Sequence, residues 1–296
     1  MKNLSQAARG HLAMLLFSAV VAGSFSLGSL TANDIDPLAL TAIRFLFASV
    51  ILAVITMATT GVPTSAVRAP WRYLVLGGLF ALYFVLMFEG LKTARPVSAS
   101  SVFTLVPLMA GGIGWLVFRQ AMTRRMLIAL VVGAFGALWV IFRGDTGALL
   151  AFDLGRGEAI YFVGCVSHAL FTPMARRLNR GEPAVMFSLG ILVAGFVVLA
   201  FVGWSEIRAT RWLDLPWLVW VTIAYLGIFA SALTTVLLQY ATVRLPSAKV
   251  LAYTYLTPSW VIMLELIIGH GAPPLLMGGG VALTVVALLM LLKNEE

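Results

Sequence analysis

Long apolar stretches separated by short polar ones organise the whole chain. They cover residues 12–30, 38–57, 71–91, 97–117, 126–142, 157–175, 184–203, 215–239, 247–268 and 275–292. A helix rising 1.5 Å per residue needs roughly 20 apolar residues to cross about 30 Å of hydrocarbon, and these stretches match that length. The pattern therefore predicts an all-α integral membrane protein of ten transmembrane helices. A membrane β-barrel would alternate apolar and polar positions in segments of roughly ten residues, and no such alternation is present. The first stretch follows Lys2 and Arg9 but is long and lacks a small-residue cleavage site, so it reads as the first span and not as a signal peptide.

Composition agrees. The chain has 296 residues, 61% of them hydrophobic and 11% charged, with mean hydropathy +0.99. A soluble surface needs far more charge. Net charge of +8 raises the question of nucleic acid, yet the basic residues never form a stripe with interleaved aromatics. They sit at the ends of the spans. The N-terminal segment and every second loop carry Lys2, Arg9, Arg68, Arg72, Arg119, Arg124, Arg125, Arg176, Arg177, Arg180, Arg244, Lys249 and Lys293, against Lys92, Arg95, Arg143, Arg156, Arg208 and Arg211 on the other side. By the positive-inside rule, this imbalance of about two to one places both termini in the cytoplasm. The only cysteine, Cys165, lies within a span and reads as a packing residue, with no disulfide or thiolate metal site in view.

A polar stretch containing Gly144, Asp145, Gly147, Asp153 and Gly155 divides five spans from five, giving repeats at 1–145 and 146–296. An odd number of spans per half makes the second half enter the membrane in the opposite sense, the inverted arrangement of many secondary transporters. Two blocks support a duplication. "LKTARPVSASSVFTLVP" ends at Pro107 and "ATVRLPSAKVLAYTYLTP" ends at Pro258. Each reads basic residue, proline, small residues, aromatic, threonine and a second proline, with spacings that differ by about one residue. Membrane helices tolerate proline, so a chance match is the competing reading. Pro107 and Pro258 are expected to kink the fourth and ninth spans and to free the carbonyls of Phe103 and Thr254 for Ser100, Ser101, Thr104, Thr254, Thr257, water or cargo.

Tyr83 and Phe84 in the third span, Tyr161 and His168 in the sixth, Tyr225 and Ser231 in the eighth, and Tyr253 and Tyr255 in the ninth suggest an aromatic wall. His168 is read as bonding a carboxylate or, preferably, a neighbouring hydroxyl. Charges within the spans are few, and each is a functional candidate because an unpaired one costs about 3 kcal/mol at mid-bilayer. Arg44, Glu89 and Glu265 all fall toward the non-cytoplasmic side, where Arg44 is expected to pair with Glu89 or Glu265. No acidic residue falls near the middle of any span, which favours a neutral or zwitterionic cargo over a cation.

These residues carry a resemblance. "AVVAGSFSLGS", "AIRFLFAS" and the two proline blocks, the second continuing "SWVIMLELIIG", are similar to EamA-type members of the drug/metabolite transporter superfamily over nearly the whole length. The place near Gly114 that corresponds to Glu265 has no glutamate, which favours a structural role for Glu265. Within the superfamily the chain looks most like bacterial inner-membrane exporters of aromatic amino acids and related metabolites. The resemblance implies two five-helix repeats around a central cavity lined by the first, third, fourth, sixth, eighth and ninth helices. It implies a substrate site at Ser24, Tyr83, Phe84, Phe103, His168, Tyr225 and Tyr253, with Pro107 and Pro258 at the hinges. The function expected is export of bulky neutral amino acids by alternating access, with no cofactor, a monomer in the lipid bilayer, and a small molecule as partner. A multidrug or nucleotide-metabolite carrier is the alternative. An intramembrane enzyme is disfavoured, since the neighbours Ser167 and His168 project about 100° apart on a helix.

Overall fold

A computed structural model describes residues 5–63, 66, 68–119, 123–151 and 154–292; Lys2, Asp153 and Lys293, used above, lie outside the described residues. The described residues form a bundle of ten long apolar helices: α1 (Gln6–Thr31), α2 (Pro37–Thr59), α3 (Trp71–Leu91), α4 (α4a Pro96–Phe103 and α4b Val106–Phe118), α5 (Arg124–Ile141), α6 (Arg156–Leu178), α7 (Ala184–Val202), α8 (Trp217–Thr242), α9 (α9a Ser247–Ala252 and α9b Thr257–Ile268) and α10 (Met277–Leu292). All ten apolar stretches of the sequence fall on these helices. Eight of the helices are long and apolar enough to cross a membrane by length and composition alone. α10 is shorter, and α6 is diluted by Glu158, His168, Arg176 and Arg177.

Local chemistry sets the boundaries. Asp36 caps α2 by accepting from the Leu38 amide at 2.8 Å, with Pro37 in the first turn where a missing N–H costs nothing. Thr123 caps α5 through the Met126 amide at 3.2 Å. α9b ends at Gly269, whose φ of 90° lets the His270 amide turn back to the Glu265 carbonyl at 3.0 Å. Only glycine takes that backbone conformation without strain.

The helix pairings repeat in duplicate. α3 packs on α6, and α8 on α1; α4b packs on α6, and α9b on α1; α3 packs on α7, and α8 on α2. Exchanging each helix for the one five places along turns every one of these pairs into its companion. The pairs that map onto themselves, α2 with α7 and α5 with α10, lie on the axis of the exchange. At the α5–α10 crossing a Cβ on Gly136 would come within 2.7 Å of the Gly280 carbonyl, and one on Gly280 within 2.6 Å of the Gly136 carbonyl. Two backbones touch there, and any side chain would force them apart. Gly280 thus packs within the chain.

Both proline helices are interrupted, and in a way that corrects the expected kink. In α4 the amides of Thr104 and Leu105 reach back three residues, to Ser101 and Val102, each at 3.0 Å, and a new helix restarts with Pro107 in its first turn. In α9 a 3₁₀ segment, Tyr253–Leu256, separates the two pieces and Pro258 occupies the first turn of the second. Each proline opens a helix where no amide is needed, so it does not bend a continuous one. The nearby hydroxyls serve other carbonyls than those anticipated: Thr104 donates to Ser101 at 2.6 Å, Thr254 to Leu251 at 2.8 Å, and Ser100 and Ser101 both to Val97. Thr257 Oγ1 is buried without a partner.

Candidate functional site

Helices α1, α3, α4, α6 and α8 meet around a hollow at mid-depth lined by Phe17, Val21, Ser24, Phe80, Tyr83, Phe84, Met87, Phe103, His168, Ala230 and Thr234. One side of it is aromatic for a simple reason. Phe80, Tyr83 and Phe84 are spaced i, i+3 and i+4 on α3, and His168 and Phe171 are spaced i and i+3 on α6, so each set shares one helix face. The rings layer on one another. Tyr83 stacks on His168 at 4.5 Å between centroids and Phe80 on Phe171 at 4.7 Å, with the planes 24° and 19° apart. Phe103 closes the stack from α4 at 5.5 Å from His168. Such pairs add about 0.5–1.5 kcal/mol each beyond the area they bury.

The facing side is built differently. α1 and α8 supply Val21, Ser24, Ala230 and Thr234, with Phe17 as their only ring. The free space between the two sides is about 10 Å³, room for about one water molecule. The expected wet cavity is closed in this conformation because the ring stack fills it.

Within the stack, His168 is 1% exposed and neither ring nitrogen has a hydrogen-bond partner. This overturns both the carboxylate and the hydroxyl expected to satisfy it. The hydroxyl of Tyr83, whose ring stacks on His168, is engaged with that of Tyr161 at 3.0 Å. Two orphaned nitrogens beside an apolar hollow are costly to leave unmet, and a guest that donates to one of them relieves the cost.

The structure thus brings Ser24, Tyr83, Phe84, Phe103 and His168 to one place. Tyr225 and Tyr253 lie elsewhere. Tyr225 donates to the Val20 carbonyl at 2.7 Å and lays its ring against Gly23. The Tyr253 hydroxyl meets His11 Nδ1 at 3.2 Å, nearer the terminal end of α1. Pro107 and Pro258 stand at the helix interruptions and outside the lining. Sequence reasoning missed Phe80 and Phe171, which the three-residue spacing from Tyr83 and His168 marks.

The expected pairing of Arg44 with Glu89 or Glu265 is not formed. Glu89 bonds Lys92 one turn away at 2.7 Å, and Glu265 bonds His270 at 2.7 Å. Each acid meets its partner at its own helix end, whereas Arg44 points to α8, where its Nε donates to Ser231 Oγ at 2.8 Å and its Nη2 to the Ala230 carbonyl at 3.0 Å. Two buried acids escaped notice as well. Ser98 donates to Glu158 at 2.7 Å, tying the starts of α4 and α6. Glu182, between α6 and α7, takes Arg72 of α3 at 2.7 Å with both side chains wholly buried. Burial pushes the Glu182 carboxyl up, but hydrogen bonds from Arg72 and the Arg180 amide, with the Arg72 charge, outweigh it and hold the carboxyl below its ordinary range.

Larger recesses open among the loops on the face opposite the start of α1 and the end of α10. One of about 520 Å³ is lined by Arg95, Arg143, Asp145 and Glu158, and a neighbour of about 390 Å³ shares both arginines and adds Glu265 and His270. Among the described residues no group of histidine, cysteine or acidic side chains is arranged to hold a metal ion.

The EamA-like transporter family matches residues 8–142 and again residues 155–293. The uncharacterized transporter YyaM of Bacillus subtilis (strain 168) is 25% identical over 262 residues, 88% of this chain and 86% of the relative. The uncharacterized transporter YetK of the same organism is 20% identical over 260 residues, 86% of this chain and 78% of the relative. A solved crystal structure superposes with a TM-score of 0.71 at 19% identity, covering 96% of this chain and 95% of that one. That likeness speaks for the fold.

Proposed function

The chain belongs to the EamA-like transporter family, two repeats of which fill it and make it a multi-pass membrane transporter and not an enzyme, and from that premise we propose that it exports aromatic or other bulky neutral amino acids. The observation that carries the reading is the hollow itself. It is walled by stacked rings, offers one unpartnered imidazole, and holds no carboxylate among the described residues. A flat apolar side chain replaces the ring-to-ring contacts it displaces, and an ammonium group donates to the free nitrogen of neutral His168. A cationic drug finds no counter-ion in such a place.

Transport follows by alternating access. The interruptions at Thr104–Leu105 and Tyr253–Leu256 are the joints about which the two repeats part, and the closed hollow is the state between the inward and outward forms. The chain works as a monomer in the bacterial inner membrane with both termini cytoplasmic, so that the arginine-lined recesses face the exit side.

Proteoliposomes loaded with labelled tryptophan or phenylalanine provide the test. Efflux well above that of empty liposomes is expected, together with its loss in Tyr83→Ala. Efflux no greater than background, for both amino acids, overturns the assignment of cargo.

A further inference from the structure

Arg44 is a cation that the bundle buries completely and, among the described residues, leaves without a counter-ion. It lies seven residues into α2, about 10 Å along the axis from the helix start, and is 0% exposed. Its guanidinium has five N–H donors. Nε and Nη2 use neutral acceptors, Ser231 Oγ and the Ala230 carbonyl, and Nη1 is buried with no partner. Its flat face lies 3.9 Å above the ring of Phe84.

The acceptor carbonyl has a local cause. Residues Ile228–Leu233 of α8 form a π-helical turn, and Ala230 within it accepts from both Arg44 and, at 2.9 Å, Thr234 Oγ1. Such turns displace carbonyls from the regular ladder and recur at functional sites. Ala230, Thr234 and Phe84 all line the hollow. The charge therefore stands one side chain behind the wall, screened by the Phe84 ring.

We propose that Arg44 is the carboxylate-binding residue of the transport site: when the Phe84 ring turns aside, the guanidinium fork takes the carboxylate of an amphipathic organic acid whose apolar body lies in the ring stack. The inference rests on the cargo reading above and deepens it, since an aromatic amino acid is one such acid. Carboxylates and phosphates both suit a guanidinium fork. The carboxylate is the choice here because a planar monoanion leaves the complex neutral in a site that supplies one positive charge.

The test uses the full chain in lipid nanodiscs and competition against labelled L-phenylalanine by 3-phenylpropionate, which keeps the carboxylate and lacks the amine, by phenethylamine, which does the reverse, and by phenyl phosphate. 3-Phenylpropionate is expected to compete and the other two to fail. Ser231→Asp places a carboxylate on the Arg44 Nε. It should melt at or above the wild-type temperature and bind both carboxylate ligands about tenfold more weakly or worse. Arg44→Lys keeps the charge, loses the fork and should show the same weakening, which covers the case that Ser231→Asp does not fold. A folded Ser231→Asp or Arg44→Lys that retains wild-type affinity, or phenethylamine or phenyl phosphate competing as well as 3-phenylpropionate, overturns the proposal. Arg44-dependent binding of 3-phenylpropionate with no flux of aromatic amino acids would instead sink only the cargo reading, and absence of binding by both carboxylates would sink the two together.

Discussion

Two arginines of this chain are wholly buried among the described residues, and their surroundings could hardly differ more. Arg72, at the start of α3, has its charge met by Glu182 at Nη2, and its Nε and Nη1 donate to the Ala69 and Leu178 carbonyls. Arg44, two turns into α2, has a hydroxyl, a carbonyl, a ring and an unmet Nη1. A buried charge that only holds helices together is furnished with everything it needs, as Arg72 is. One that stays short of partners, next to a hollow that also holds an unpartnered imidazole, is on the proposal above kept for a ligand that arrives later. The contrast separates scaffold from site.

It breaks most sharply at the scaffold end. Glu182→Gln leaves Arg72 buried and unpaired and should cost about 3–5 kcal/mol in denaturation of the detergent-solubilised protein, whereas the double change Arg72→Met with Glu182→Leu should recover most of it. Acid should erase the same contribution. The folded carboxyl lies below its ordinary range, so the stabilisation is whole above about pH 4.3 and is lost as pH falls through the lower folded value; the wild-type advantage over Glu182→Gln should shrink over that interval. A constant gap down to strong acid would remove the ion pair from the account.

Arg44→Met should do the opposite, abolishing flux while leaving stability within about 1 kcal/mol of wild type, because relief of an unpaired intramembrane charge offsets the two lost hydrogen bonds. A drop as large as that of Glu182→Gln would make the two arginines alike. His168→Phe removes two orphaned nitrogens from a ring stack, so its melting temperature should hold or rise slightly while uptake of labelled phenylalanine falls about tenfold. The smallest effect is expected at Lys92→Ala. Its bond to Glu89 is partly exposed at a helix end and should be worth no more than about 1 kcal/mol, with flux unchanged.

What was legible in the sequence and what was not divide along physical lines. Span length and the paired proline blocks are properties of consecutive residues, and they placed the helices and the duplication. The lining was half legible. Ser24, Tyr83, Phe84, Phe103 and His168 converge, while Tyr225 and Tyr253 lie on the right helices with their hydroxyls turned to Val20 and His11. Helix rotation sets which face looks inward, and in spans that are apolar all round no periodicity reports it. The partners of Arg44 were invisible for another reason. They depend on a π-helical turn in α8, and nothing in "IFASAL" announces that the turn will widen there. Arg72 was legible only as a loop charge, because its acid comes from 110 residues away.

The scaffold is duplicated but its furnishing is not. The stacked rings and the imidazole come from α3, α4 and α6, and Ser24, Thr234, Ser231, the displaced carbonyl and the guanidinium stand on the side of α1, α2 and α8. A pocket between two identical halves would accept an elongated guest equally well end for end. On the proposal above only one orientation sets a flat apolar end against the rings and a polar end toward the charge, so such a cargo would cross with a fixed heading even though the frame that carries it is nearly symmetric.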